Sequence, residues 1–316
     1  MDIDAKKLAG QPILVTGGGG FIGSHIGEHL VAMGAKVRVL DNFATGFKRN
    51  LEPFAGKIEI IEGDIRDIET CQRACAGVRW VLHQAALGSV PRSIEDPATS
   101  LAVNVGGTAN VFAAGRDAKV ECIVYASSSA VYGDNDELPK RVGREGKPLS
   151  PYAVSKWMNE ELADVYARCY EMRFVGLRYF NVYGPRQDPN GPYAAVVPRF
   201  FDACQRGIAP TIYGDGLQSR DFTYVADVVQ ANLKSALAGL SGANVFNIGA
   251  GGTTTVKELA ETIIQATGAD LAPKHEPPRA GDPRFSQADT SAAEEKIGFK
   301  ATTPLAKGLE LIHASL

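Results

Sequence analysis

One short stretch near the start constrains this chain more than any other: Ile13-Leu14-Val15-Thr16-Gly17-Gly18-Gly19-Gly20-Phe21-Ile22-Gly23. An apolar run ends at Thr16, and an amphipathic helical pattern begins after Gly20, so the glycines fill the turn between a strand and a helix. Gly17, Gly20 and Gly23 are spaced GxxGxxG. Gly17 permits a turn that a Cβ would block. Gly20 lets backbone N–H groups approach a phosphate at the helix N-terminus, and Gly23 lets the helix sit close to the strand. Glycine-rich turns are common in flexible loops. Between a strand and a helix, the same glycines point to dinucleotide binding.

The rest of the chain supplies a frame for that unit. Apolar, strand-like runs fall at Pro12–Thr16, Lys36–Leu40, Ile58–Glu62, Trp80–His83, Cys122–Ala126 and Phe174–Tyr179. Helical patterns fall at Phe21–Met33, Ile68–Cys75, Pro97–Arg116, Pro151–Tyr170, Tyr193–Arg206, Val225–Ala238 and Thr255–Thr267. Short strands that are apolar on both faces and alternate with helices predict a parallel sheet covered on both sides, with right-handed crossovers. The alternation breaks after Tyr179, at a loop rich in Gly and Pro over 184–192. The later elements read as irregular, with a second such loop over Pro273–Pro283. A smaller C-terminal region closing over the sheet is expected, with the cleft outside the carboxyl ends of the strands.

Bulk properties exclude several function classes. The chain has 316 residues, 45% of them hydrophobic and 22% charged, which suits an ordinary globular protein. A net charge of −3 offers no basic field for nucleic acid or an acidic membrane. No apolar run approaches the roughly 20 residues that span a bilayer. The opening Met1-Asp2-Ile3-Asp4-Ala5-Lys6-Lys7 lacks the apolar segment of a signal peptide. The five cysteines are scattered and odd in number, as expected of free thiols in a reducing cytoplasm. Cys71 and Cys75 lie one helical turn apart with no second pair, so no metal site is expected.

Asp41 ends the second strand, some twenty residues past the glycine loop. A carboxylate there accepts hydrogen bonds from ribose hydroxyls and repels a 2′-phosphate, which favours NAD over NADP. Asp64-Ile65 follows the third strand, where an adenine can be held. Ala85-Ala86 follows the fourth, where small residues let a cofactor backbone pass. Ser127-Ser128-Ser129 follows the fifth, and Tyr152 and Lys156 lie four residues apart on one face of a helix opening at Pro151. A phenol with a reference pKa of about 10 is a poor base at neutral pH, and lowering it by about 3 units needs roughly 4 kcal/mol. A close ammonium, a cationic nicotinamide ring and a hydroxyl donor jointly supply that in a dry cleft. An exposed Tyr–Lys helix pair is the ordinary fate of this spacing. Its place after a serine-bearing strand end in a cofactor fold favours catalysis.

With GGGGFIG, SSSAVYG, SPYAVSK, RYFNVYGPRQDPNGPYAAVVP, GDGLQSRDFTYVAD and RAGDPRFSQAD in place, the chain resembles the extended short-chain dehydrogenases/reductases along nearly its whole length. It is most similar to the nucleotide-sugar 4-epimerases, those of UDP-N-acetylhexosamines above all. The resemblance implies a Rossmann doubly wound parallel sheet, with 1–178 and 223–249 holding NAD and 179–222 and 250–316 forming a smaller α/β region for the nucleotide sugar. It implies that Tyr152 takes the proton of the sugar 4-hydroxyl, Lys156 holds the nicotinamide ribose, and Ser128 bridges. It places Phe21, Ile22, Asn42 and Tyr179 beside the cofactor. Asn181, Val196, Tyr213, Arg220, Arg279 and Asp282 would hold the UDP moiety, and Gly88, Ser89, Ser129 and Gln187 the sugar. Ser286 falls where a bulky residue would restrict the pocket to plain hexoses.

Two relatives of similar build carry carboxylates after the serine, an Asp-Glu pair in sugar dehydratases and a Glu in UDP-glucuronate decarboxylases. Here the segment is Ser128-Ser129-Ala130. The resemblance therefore favours 4-epimerisation of UDP-N-acetylglucosamine or UDP-glucose. It leaves UDP-glucuronate 4-epimerisation, dehydration or decarboxylation, and an NAD-sensing scaffold as alternatives. It also implies a homodimer through Pro97–Arg116 and Pro151–Tyr170.

Overall fold

The computed structural model describes residues 3–190, 194–278 and 284–316. Seven strands form its central sheet: β1 (Pro12–Thr16), β2 (Lys36–Asp41), β3 (Ile58–Glu62), β4 (Trp80–His83), β5 (Cys122–Ser128), β6 (Phe174–Tyr179) and β7 (Ala243–Ile248). All are parallel, in the order β7-β6-β5-β4-β1-β2-β3. This is a doubly wound Rossmann sheet. The strand order reverses beside β1, and a crevice opens there at the carboxyl ends.

Alternate residues of β1 serve opposite layers. Ile13 and Val15 pack with Ile26, Leu30, Val228 and Val229, while Leu14 packs with Val111, Phe112, Ala163 and Phe174. The first group includes residues of α1 (Phe21–Ala32). The second draws on the helix Thr108–Asp117 and on α2 (Pro151–Tyr170). Covering both faces explains why β4 and β6 are buried throughout, with His83 and Arg178 the polar exceptions among their apolar residues. The edge strand β3 exposes Glu59 and Glu62, charges that discourage pairing with another sheet.

Three features depart from the sequence expectations. The segment expected as one helix over Pro97–Arg116 is a helix whose middle, Ala102–Gly107, widens to a π turn before Thr108–Asp117. Gly107 lies in that turn against Ile65, whose Cδ1 would sit 2.5 Å from an added Cβ. A seventh strand occupies a stretch read as irregular, because Asn244 and Asn247 interrupt its apolar pattern. Inside the fold Asn247 is satisfied: it accepts from the Tyr132 hydroxyl at 2.6 Å and donates to the carbonyls of Lys140 and Asp289. Finally, β5 runs on through Ser128, so Ser127 and Ser128 end the strand and only Ser129 follows it.

A separate apolar cluster gathers Tyr183, Phe200, Phe201, Ile212, Tyr224, Leu259, Ile263, Leu309 and Ile312. Short strand pairs accompany it: Thr211–Tyr213 with Lys274–Glu276, and Ser219–Arg220 with Thr254–Thr255. The smaller region is thus itself α/β.

Candidate active site

The glycine loop closes as its spacing requires. Gly17 has φ +68, and a Cβ there would lie 2.6 Å from the Ala85 nitrogen, so only glycine lets β1 and β4 end side by side. Gly20 caps α1 with no side-chain hydrogen bond, which leaves the first N–H groups of the helix for an anion. At Gly23 an added Cβ would lie 2.1 Å from the Gly17 oxygen. This cradle, which any side chain would fill, fits a pyrophosphate.

A cavity of about 590 Å³ lies against it, lined by Gly17, Gly20, Asp41, Asn42, Asp64, Ile65, Ala85 and Ala86 among others. Phe21, Ile22 and Gly23 lie on the first turn of α1 beside it. Asp41 is buried, accepting from Gly19 N at 2.8 Å and Phe43 N at 2.7 Å. Burial pushes its carboxyl up, and the two N–H groups pull it back. Asp64 accepts from Arg66 and from Asn42, and Arg66 holds its carboxyl down at about 2. Asn50, which no sequence pattern singled out, donates to Gly19 O at 2.9 Å and so pins the loop after β2 onto the glycine turn.

The residues expected to carry the chemistry, Ser128, Tyr152 and Lys156, sit on β5 and α2. Ser128 ends β5 and accepts from Ala130 N at 3.1 Å, opening the tight turn Ser129–Tyr132. Burial raises the Tyr152 phenol above its usual value, and the Ser128 side chain works against the rise. The Lys156 Nζ is buried 5.9 Å from the Tyr152 ring centre and donates to Ala126 O at 2.9 Å. Burial pushes the ammonium down to about 8, opposed by the Glu160 carboxylate. Two unforeseen residues support the helix start. The Ser93 hydroxyl accepts from Tyr152 N at 3.0 Å. Asn104, in the π turn, donates to Ser155 Oγ and Leu87 O and accepts from Leu87 N. The hydroxyl of Tyr179 is engaged by Gln84 and Asn232, leaving its ring and backbone for a neighbour.

The other expected contact residues lie in the segments after β4 and β6 and in the smaller region. Gly88 is exposed, and Ser89 caps the short helix Val90–Glu95 through Arg92 N. Asn181 is exposed with φ +20, an uncommon setting for a residue with a side chain. Gln187 donates to Val182 O, while its own buried carbonyl oxygen has no partner among the described residues. Val196 opens a helix and Tyr213 ends a strand, both half-buried. Arg220 is buried and donates to Ser219 O. Ser286 is brought to the same place, its N–H donating to Ser219 O at 3.2 Å. Asp221, buried beneath them, ties down the N–H groups of Ala250, Gly251 and Ala288. Arg279 and Asp282 lie outside the described residues. Among the described residues no cluster of His, Cys, Asp and Glu could hold a metal, and no helix is long and apolar enough to cross a membrane.

A parallel Rossmann sheet with a glycine-cradled helix N-terminus, an acidic end to β2 and a Ser–Tyr–Lys constellation defines a dinucleotide-dependent enzyme of the short-chain dehydrogenase/reductase class. Residues 13–249 match the NAD dependent epimerase/dehydratase family, and the chain belongs to it. It is 38% identical over 300 residues to UDP-glucose 4-epimerase of Mycolicibacterium smegmatis, covering 94% of this chain and 95% of that protein. The crystal structure of Thermotoga maritima UDP-glucose 4-epimerase with UDP-glucose matches with a TM-score of 0.90 at 37% identity, over 96% of this chain and 98% of that one. The UDP-N-acetylglucosamine 4-epimerase of Methanobrevibacter ruminantium, in complex with UDP-N-acetylmuramic acid, matches with a TM-score of 0.93 at 37% identity, over 97% and 98%. Relatives also include a UDP-N-acetyl-alpha-D-glucosaminuronate decarboxylase and UDP-glucuronate 4-epimerases.

Proposed function

We propose that this protein is an NAD-dependent 4-epimerase of a UDP-hexose, acting on UDP-N-acetylglucosamine/UDP-N-acetylgalactosamine and also on UDP-glucose/UDP-galactose. The observation that carries this reading is the Ser128–Tyr152–Lys156 constellation at the carboxyl edge of the sheet, with no carboxylate in Ser128-Ser129-Ala130. NAD, when bound, supplies a hydride acceptor that returns the hydride and a cationic ring beside the phenol. Tyr152, as phenolate, takes the proton of the sugar 4-hydroxyl and gives it back once the 4-keto sugar has turned over. Ser128 holds the phenol oxygen, and the Lys156 ammonium stabilises its charged form. Without an acid–base carboxyl pair beside Ser128, nothing there drives loss of water or carbon dioxide.

When NAD is bound, Gly17, Gly20, Phe21, Ile22 and Gly23 would hold the pyrophosphate, Asp41 and Asn42 the adenosine ribose, and Asp64 and Ile65 the adenine; Ala85, Ala86 and Tyr179 would line the rest. Residues 1–178 and 223–249 make the NAD half, and 179–222 with 250–316 the sugar half; an apolar cluster centred on the latter, joined by Tyr224 and Val225 where 223–249 meets it, supports this division. The chain pairs with a second copy through α2 and the helix before it. Trp157, Met158 and Val165 on α2 are 44%, 40% and 43% exposed, apolar surface that such pairing covers.

The test is to incubate purified protein with UDP-N-acetylglucosamine, UDP-glucose and UDP-glucuronate, without added cofactor, and follow products by NMR. The 4-epimers of the first two are expected. Loss of water or carbon dioxide, or epimerisation of the glucuronate alone, would replace this reading. Tyr152→Phe should abolish turnover while leaving NAD bound.

A further inference from the structure

A buried charge cluster lies directly behind the reacting groups. Arg178, on β6, has a side chain only 4% exposed. Its guanidinium grips Glu160 on α2 in a fork, Nε to Oε1 at 2.9 Å and Nη2 to Oε2 at 2.6 Å. Its remaining arm pairs with Glu145, in the loop that leads into α2. The Ser127 hydroxyl donates to the same Glu160 Oε1 at 2.5 Å. Ser127 precedes Ser128 on β5, and Glu160 lies one helical turn beyond Lys156 on the helix that also carries Tyr152. The cluster therefore joins the two elements whose spacing sets Ser128 against Tyr152.

A stabilising role alone does not account for this arrangement. Taking such charges out of water offsets most of their attraction, and apolar packing of similar volume is often as stable. A bidentate fork, however, fixes direction as well as distance, whereas apolar faces can slide. A misplacement of about 1 Å at a reacting centre costs on the order of a hundredfold in rate. We propose that Glu160, gripped by Arg178, whose remaining arm Glu145 holds, and bonded to Ser127, is a positioning residue that holds the helix of Tyr152 and Lys156 in register with the strand of Ser128. The proposal rests on Tyr152 being the base. The cluster also has an electrostatic side, since two carboxylates against one guanidinium leave one negative charge near Lys156. The other titratable groups around the Tyr152–Lys156 pair are His83 on β4, kept neutral by burial, and Tyr179 on β6. Glu160 is thus the anion that favours the ammonium.

The experiment compares Ser127→Ala, Arg178→Lys and Glu160→Gln with wild type in NAD-loaded protein. It measures kcat and KM on UDP-glucose and UDP-N-acetylglucosamine, NAD content, melting temperature and the pH dependence of kcat. Arg178→Lys and Glu160→Gln should lower kcat by roughly ten- to hundredfold, with KM and NAD content unchanged. Ser127→Ala, which removes one hydroxyl and keeps the volume, should lower kcat by less. The basic limb of the Glu160→Gln profile should move to lower pH, because Lys156 loses its negative neighbour. A Ser127→Ala protein with wild-type kcat and pH profile would overturn the proposal, whether or not the charge variants fold. So would kcat losses that only track the folded fraction. If Tyr152→Phe itself keeps turnover, the assignment of the base falls and the positioning role falls with it. If Tyr152→Phe is inactive but Glu160→Gln is normal, only the positioning role is lost.

Discussion

Replacing Gly23 by alanine should release the cofactor while leaving the chain folded. The new Cβ would sit 2.1 Å from the Gly17 oxygen, 2.8 Å from the Gly17 carbonyl carbon and 2.9 Å from the Gly18 Cα. All three are backbone atoms, so no side chain can swing away. A carbon–oxygen contact needs about 3.3 Å, so α1 must withdraw from the loop by about 1.2 Å. Main-chain N–H groups at the helix start, placed to reach a phosphate at about 2.9 Å, then stand about 4 Å away, beyond hydrogen-bonding range. Losing roughly two hydrogen bonds to a charged group at about 1.5–3 kcal/mol each weakens NAD binding by about 3–6 kcal/mol, or roughly 10²- to 10⁴-fold. Overpacking costs the fold about 1–3 kcal/mol in addition. NAD released from purified protein by denaturation, followed by calorimetric titration of NAD-free protein, reads the effect. Gly27→Ala on the same helix is the control, because its Cβ would meet only the Phe54 ring, at 3.2 Å. A Gly23→Ala protein that keeps its full NAD complement, with affinity within tenfold of wild type, would refute the geometry.

Other outcomes follow from the same structure. Ser286→Tyr leaves the backbone bond to Ser219 in place and fills the space beside it, so kcat/KM for UDP-N-acetylglucosamine should fall on the order of ten- to hundredfold more than for UDP-glucose; equal losses on both sugars would remove Ser286 as the selective wall. Burial pushes the His25 imidazole down to about 4, despite its bond to Pro185 O, and that of His83 down to about 3. Because both folded values lie below the unfolded 6.5, the unfolded chain binds more protons, and stability falls as pH drops below 6.5. Between about pH 7.5 and about pH 5.5 the two together should remove roughly 3 kcal/mol, read as a lower urea midpoint; an unchanged midpoint would contradict their burial as neutral rings. Of the five cysteines Cys169 alone is exposed, and burial holds the Cys71, Cys75 and Cys122 thiols up at about 12. A thiol reagent should therefore label one site in the native protein and leave activity unchanged, and labelling of several would show the core to be open.

Much of the cofactor half was legible in the sequence. The glycine turn, the strand-ending Asp41 and the Tyr152–Lys156 spacing each lie within a few consecutive residues, where the periodicity of strand and helix alone fixes which groups face together. Six of the seven strands announced themselves as short apolar-rich runs, the inner ones because burial on both faces demands them, the edge strand β3 through its isoleucines. The seventh was hidden because Asn247 places a polar side chain inside, where partners from three distant segments satisfy it. Tertiary structure alone decided how the glycine turn and the start of α2 are held. Asn50 reaches back 31 residues to the glycine turn, Ser93 meets Tyr152 across 59, and Asn104 meets Ser155 across 51. The fork of Arg178 finds Glu160 and Glu145 from strand, helix and loop at once. No local pattern encodes such pairs, because a lone buried polar residue has the same sequence whichever partner it meets. Only the folded chain brings donor and acceptor together, and the cost of leaving either unmet in the interior then fixes the match.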